Sequence, residues 1–162
     1  MNMVVHPQQV QMAHQYGCAA GKQGKFIEYK DGFWKNSYEE YKNKRDMSQL
    51  GPEAILKWAP QVGLDATKLK ADGESDACKQ RVEEDMQELG KFHVGGTPGF
   101  FINGKFIGGG IPEQAFHQII DEKLKIAEAS GVPGSSYYEK EIMGKGVHEF
   151  QSKKRAEKPT QQ

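Results

Sequence analysis

The chain lacks surplus charge, long hydrophobic runs and close-set cysteines. Its 162 residues carry 22 basic and 22 acidic side chains. A phosphate-binding surface ordinarily brings a strong basic excess, so nucleic acid is not expected as the main partner. No apolar run approaches the ~20 residues needed to cross a bilayer, and no membrane span is expected. The opening MNMVVHPQQVQ has no basic start and no apolar stretch long enough for a secretory signal. The two cysteines, Cys18 and Cys78, stand 60 residues apart. They form neither a CxxC nor a zinc-type cluster. His6, His14, His117 and His148 show no ligand spacing with one another, so neither a metal nor another cofactor is expected.

What is present suits one domain with a tail. Apolar residues make up 36%, Gly is enriched at 19, and Phe, Tyr and Trp are plentiful. That composition fits a globular chain long enough to bury a core. Met3, Val4 and Val5 form a short β-prone run. A helix is predicted over 7–22, with Pro7 in its first turn and Gly21 and Gly24 ending it. Phe26, Tyr29, Phe33 and Trp34 give a second helix with an aromatic face. Residues 36–49 read as a loop or short helix. A helix opens at Gly51-Pro52-Glu53, is shortened by Pro60 and ends at Gly63. Asp65 caps a short helix through Leu69. The longest helix is predicted over 76–91, on a stripe of Cys78, Val82, Met86 and Leu89.

The period then changes. GFFINGKFIGGG is two short apolar runs around Asn103-Gly104, the strongest short-range signal for a hairpin. Phe100 and Ile102 face one way and Phe101 the other. A helix follows with Pro112 at its first position and Ala115, Phe116, Ile119, Ile120 and Leu124 as a buried face. From residue 131 the sequence is a polar tail, expected to be largely disordered, with Tyr137, Tyr138, Ile142, Met143 and Phe150 as anchors for its first part.

The stretch VGGTPGFFINGKFIGGG carries the most information. A Thr-Pro before an apolar strand, an Asn-Gly hairpin and then a helix resemble the C-terminal half of the DsbA-like thiol-disulfide oxidoreductases. Further stretches extend the resemblance across roughly residues 3–128: NMVVHPQQ, CAAGKQGKFIEYKDGFW, VGLDATKLKAD and DMQELGKFHVGGTP. It implies an α/β, thioredoxin-like fold over residues 1–130, truncated at the N-terminal strand and helix. Its helical insert subdomain spans about 7–91. A cis-proline strand, hairpin and C-terminal helix occupy 94–128. It also implies that Gly96, Thr97 and Pro98 bind substrate, with Pro98 at the cis-proline position. A cis X-Pro bond costs only about 0.5–1 kcal/mol and exposes the backbone of the residue before it. An extended peptide then pairs there as an added strand.

The family's CxxC is absent from this sequence, so no catalytic residue is assigned; without a low-pKa thiolate the exchange has no nucleophile. Either the native protein is longer, or this is a non-catalytic form. The localisation expected is periplasmic or cell envelope if a signal segment is missing, and cytoplasmic if the chain is complete. Cys18 and Cys78 either remain two core thiols or bridge, and a structural disulfide is the favoured reading. Such a loop stabilises by about 4 kcal/mol and needs an oxidising compartment. Catalysis by this pair is not expected, because widely spaced helix-face cysteines lack the helix N-terminus that lowers a thiol pKa. His93 reads as a helix-ending residue rather than a groove residue. Gly108-Gly109-Gly110 has no phosphate-loop pattern and reads as a strand end passing close to a neighbour.

Three functions compete. The first is thiol-disulfide exchange on unfolded or cysteine-containing polypeptides, with this chain as the docking half. The second is a non-catalytic binding module that forms a homodimer through its open sheet. The third is a glutathione-dependent DsbA-fold enzyme without CxxC.

Overall fold

A computed structural model describes residues 3–149. The chain divides into two compact units, the first running through Leu89 and the second starting at Gly90. We call them the helical unit and the hairpin unit.

In the helical unit α1 spans Pro7–Lys22, with Pro7 at its first position. There the missing proline N–H costs no hydrogen bond. Gly21 lies inside the helix, and Gly24, at φ 70°, turns the chain out of it. The β-prone run at Met3, Val4 and Val5 is not a strand. Val4 is buried, and its N–H donates to Sδ of Met86 at 3.1 Å instead of to a strand partner. Helix α2 spans Phe26–Phe33 and runs into a π-helical turn over Trp34–Tyr38, then α3 at Glu39–Lys44 and a 3-10 turn at Met47–Leu50. The polar stretch expected as a loop or short helix is therefore largely helical. The extra residue in the π turn splits the aromatic face. Tyr29 is core, Phe33 is half-buried and Trp34 is 54% exposed.

Helix α4 covers Pro52–Trp58 and tightens to a 3-10 turn at Ala59–Val62, where Pro60 cannot continue the α ladder. Gly63, at φ 77°, ends it. Helix α5 covers Ala66–Gly73, a turn longer than expected, and the Asp65 carboxylate accepts the Lys68 N–H at 3.0 Å. Helix α6 covers Asp76–Lys91. The core gathers Tyr16, Ala19, Ala20, Tyr29, Ile55, Trp58 and Leu69 around Cys78. Two glycines let rings close over backbone: Gly32 lies under Trp58 and Gly73 under Tyr16, where a Cβ would collide with the ring. The core's polar atoms are matched. Tyr29 Oη donates to the Ala13 carbonyl at 2.7 Å, and Trp58 Nε1 donates to Ser37 Oγ at 2.9 Å. Burial pushes the Tyr29 hydroxyl well above its usual range, and then Tyr16 adds to the shift.

In the hairpin unit β1 (Gly99–Ile102) pairs antiparallel with β2 (Lys105–Gly108), Phe100 opposite Ile107 and Phe101 opposite Phe106. Asn103 and Gly104 both have positive φ, 42° and 79°, as the two-residue turn requires. Helix α7 spans Glu113–Ala129, and Pro112 is its N-cap rather than its first position. Its apolar face is not buried as expected. Ala115, Phe116 and Ile119 are half-buried, while Ile120 and Leu124 are about half exposed. Among the described residues the sheet has two strands, and only Phe100 is in ring contact with the helix, against Phe116 at 4.8 Å. The first part of the tail holds α8 (Gly134–Tyr137) and a π turn over Tyr138–Met143. The anchor Phe150 and residues 151–162 of the tail lie outside the described residues.

Candidate functional site

The approach to β1 is the first place where the backbone is open. Residues 95–101 are all exposed, directly after the buried Val94. The Thr97–Pro98 peptide bond is cis. Pro98 is held from one side: its carbonyl accepts the Gly109 N–H at 2.8 Å, with Gly109 at φ 82°. The glycine run after β2 thus brings that strand end against Pro98. Among the described residues nothing takes up the N–H or the carbonyl of Thr97. Gly96, Thr97 and Pro98 therefore form a short bent approach to β1 in which the Thr97 N–H and carbonyl have no protein partner among the described residues.

Beside this edge is an aromatic row. Phe92 meets Phe101 edge-on at 5.6 Å, and Phe101 leans on Phe106 at 5.1 Å. Phe101 and Phe106 remain 47% and 37% exposed. Sequence reasoning placed Phe101 on the face opposite Phe100 but did not see this row; its signal was the alternation of Phe101 and Phe106 across the Asn-Gly turn. His93 closes α6 with a left-handed φ of 53°, its N–H donating to the Gly90 carbonyl at 3.0 Å.

The cysteines form a second locus, in the helical unit. Cys18 and Cys78 are joined, with Sγ atoms 2.11 Å apart. Cys18 is half-buried, and Cys78 has no exposed surface. The expectation that neither cysteine sits at a helix N-terminus is corrected here. Cys78 is the third residue of the sixteen-residue α6, and its N–H donates to Ser75 Oγ at 3.4 Å. Near the same end of α6, Tyr16 Oη donates to a Glu74 carboxylate oxygen at 3.3 Å. Burial, and then the Glu74 charge, push that hydroxyl up to about 12. His14, one turn before Cys18, is held below the ordinary histidine range by burial.

Among the described residues no group of three or more His, Cys, Asp or Glu is placed to hold a metal ion. No described helix is long and apolar enough to cross a membrane. Neither a curated protein nor a solved structure matches the chain. The family model of the DSBA-like thioredoxin domain matches residues 2–121, taking in α1 to α6, the Thr97–Pro98 edge, the hairpin and the first half of α7. A mostly helical chain with a small two-stranded sheet is consistent with a thioredoxin-like fold with a helical insert, and on that match the chain belongs to the DSBA-like thioredoxin domain family.

Proposed function

We propose that this chain works in thiol-disulfide exchange on cysteine-containing polypeptides and supplies the surface on which the substrate docks. Gly96, Thr97 and Pro98 are the docking residues. An extended substrate segment lies along them as an added strand and pairs with the N–H and carbonyl of Thr97. The observation that carries this reading is the unpaired backbone of Thr97 within the exposed stretch 95–98 that leads into β1, in a chain of this family. Phe101 and Phe106 offer an apolar side chain of the substrate a place to rest. The chain's two cysteines are bonded to each other, so the attacking thiolate is supplied by a CxxC outside these residues. The bonded pair favours work in an oxidising, extracytoplasmic compartment.

The test is titration of an isotope-labelled chain with an extended peptide carrying one blocked cysteine. Amide shifts at Gly96, Thr97 and Gly99 ahead of all others are the expected result. Thr97→Ala keeps the backbone groups and is expected to keep the binding. Absence of binding, or shifts confined to the helical unit, would overturn the proposal.

A second reading rests on the exposed apolar surface of the hairpin unit, at Phe101, Ile120, Leu124 and Ile126. In it the chain is a non-catalytic module that pairs with its own copy through the sheet. A concentration-dependent mass in sedimentation, without any peptide-induced shift, selects this reading.

A further inference from the structure

We propose that the Cys18–Cys78 disulfide is a site of thiol exchange with small soluble thiols of the glutathione class, entered at Cys18. Three observations carry it. The two cysteines are unequal in exposure, since Cys18 is half-buried while Cys78 has no exposed surface. The face of α1 beside Cys18 is open: Gly21, one turn on, is exposed and a Cβ there would meet nothing within 4 Å. Residues three apart on a helix are surface neighbours, so this gap adjoins the cysteine. Finally, Cys78 lies in the first turn of α6, where the helix N-terminus favours a thiolate.

Exchange requires the nucleophile to approach one sulfur from the side opposite the other. Approach to Cys78 is blocked by the core of Tyr16, Leu69 and their neighbours. Approach to Cys18 is from the solvent side of α1. A thiolate RS⁻ therefore attacks Cys18 Sγ. The S–Sγ bond to Cys18 forms, the Cys18–Cys78 bond breaks, and its electron pair leaves on Cys78 Sγ. Burial acts against that thiolate and the helix terminus acts for it; access decides the direction of attack. A second RS⁻ then attacks the R sulfur of the mixed disulfide, releasing RSSR and the Cys18 thiolate. Two external thiols are oxidised, the protein disulfide is reduced, and the two protein thiolates take protons from water. A small thiol reaches Cys18 across the open surface at Gly21.

This site is independent of the docking edge, and its test does not involve peptide binding. The oxidised native chain is incubated with reduced glutathione without denaturant, quenched with acid, blocked with a maleimide and digested with trypsin. The two cysteines fall in separate peptides, one ending at Lys22 and one between Lys70 and Lys79. The expected early product carries glutathione on Cys18 and maleimide on Cys78. Gly21→Leu, which covers that open surface, is expected to slow the reaction several-fold while tryptophan fluorescence stays unchanged. Glutathione on Cys78 or evenly on both, reaction only at denaturant levels that unfold the chain, or an unchanged rate in G21L would each overturn the proposal.

Discussion

Tyr16, Ile55 and Leu69 in the helical unit have no solvent-exposed surface. In the hairpin unit the best-buried apolar side chains, Val94 and Ile107, each keep 9%, and α7 has no buried residue at all. Helix α7 carries as marked an apolar stripe as α6, so patterning does not explain the contrast. Layering does. Helices α1, α2, α4 and α5 close around one another, with Cys78 of α6 bonded into the same core. Among the described residues of its own unit the two-stranded hairpin leans on α7, and Phe101, Phe106, Ile120 and Leu124 stay at the surface. An isolated hairpin of two strands is marginal in water. The helical unit is therefore expected to carry most of the stability of this chain, and the hairpin unit carries the exposed surface on which we propose that a polypeptide docks.

The sharpest way to break that contrast is to truncate one large ring in each unit. Trp58 is 4% exposed, meets Tyr29 at a tilt with ring centres 5.7 Å apart and covers Gly32. Trp58→Ala is expected to cost about 3–5 kcal/mol in urea unfolding, the range for emptying a well-packed aromatic site. Phe101→Ala, at a ring already half in solvent, should cost under about 1 kcal/mol. It should nevertheless weaken binding of the extended peptide. Equal losses from the two substitutions would show that the hairpin unit has a core of its own.

A smaller effect sharpens the same contrast in polar terms. Ser37 has no exposed surface and accepts the Trp58 indole N–H at 2.9 Å. Ser37→Ala leaves that buried donor without a partner, so a loss of about 1–3 kcal/mol is expected. Its counterpart in the hairpin unit is Lys105 with Glu122, 3.8 Å apart and both exposed. Glu122→Gln should change the unfolding free energy by less than about 1 kcal/mol, as exposed ion pairs do. A Ser37→Ala chain as stable as the parent would mean that the indole finds another acceptor.

How far the sequence disclosed all this follows from the range of the signals. Helices α1 and α6 were readable because their limits are local: Pro7 and Gly24 bracket one, and Ser75-Asp76 opens the other. The hairpin was readable because Asn103-Gly104 demands positive φ at both positions. The π turn at Trp34–Tyr38 was not, since one extra residue in a helix leaves no mark on an aromatic-rich pattern. The stripe on α7 was readable as apolar, but an apolar stripe does not say whether anything covers it. At the cysteines the signal was present and misjudged. A helix opening at Asp76 puts Cys78 in its first turn, a placement that the 60-residue spacing from Cys18 does not show.

A smaller effect at neutral pH than either core truncation is also the most specific. Tyr16 has no exposed surface, and its hydroxyl donates to Glu74 at 3.3 Å. Its folded-state pKa is raised from 10.0 to about 12, by burial first and the Glu74 charge second. A raised pKa stabilises the fold fully below the unfolded value, and that stabilisation is lost as pH rises through the folded value. The window is therefore pH 10 to about 12. Tyr16→Phe removes one hydrogen bond of about 0.5–1.5 kcal/mol at neutral pH. It also removes the proton that the unfolded parent releases above pH 10. The parent's advantage over Y16F should shrink across that window. Tyr29, whose hydroxyl is also raised by burial, is present in both chains, so most of its alkaline contribution cancels in the difference. Urea midpoints of the two chains measured across the window check this, and a constant difference would show that Tyr16 ionises as freely in the folded chain as in the unfolded one.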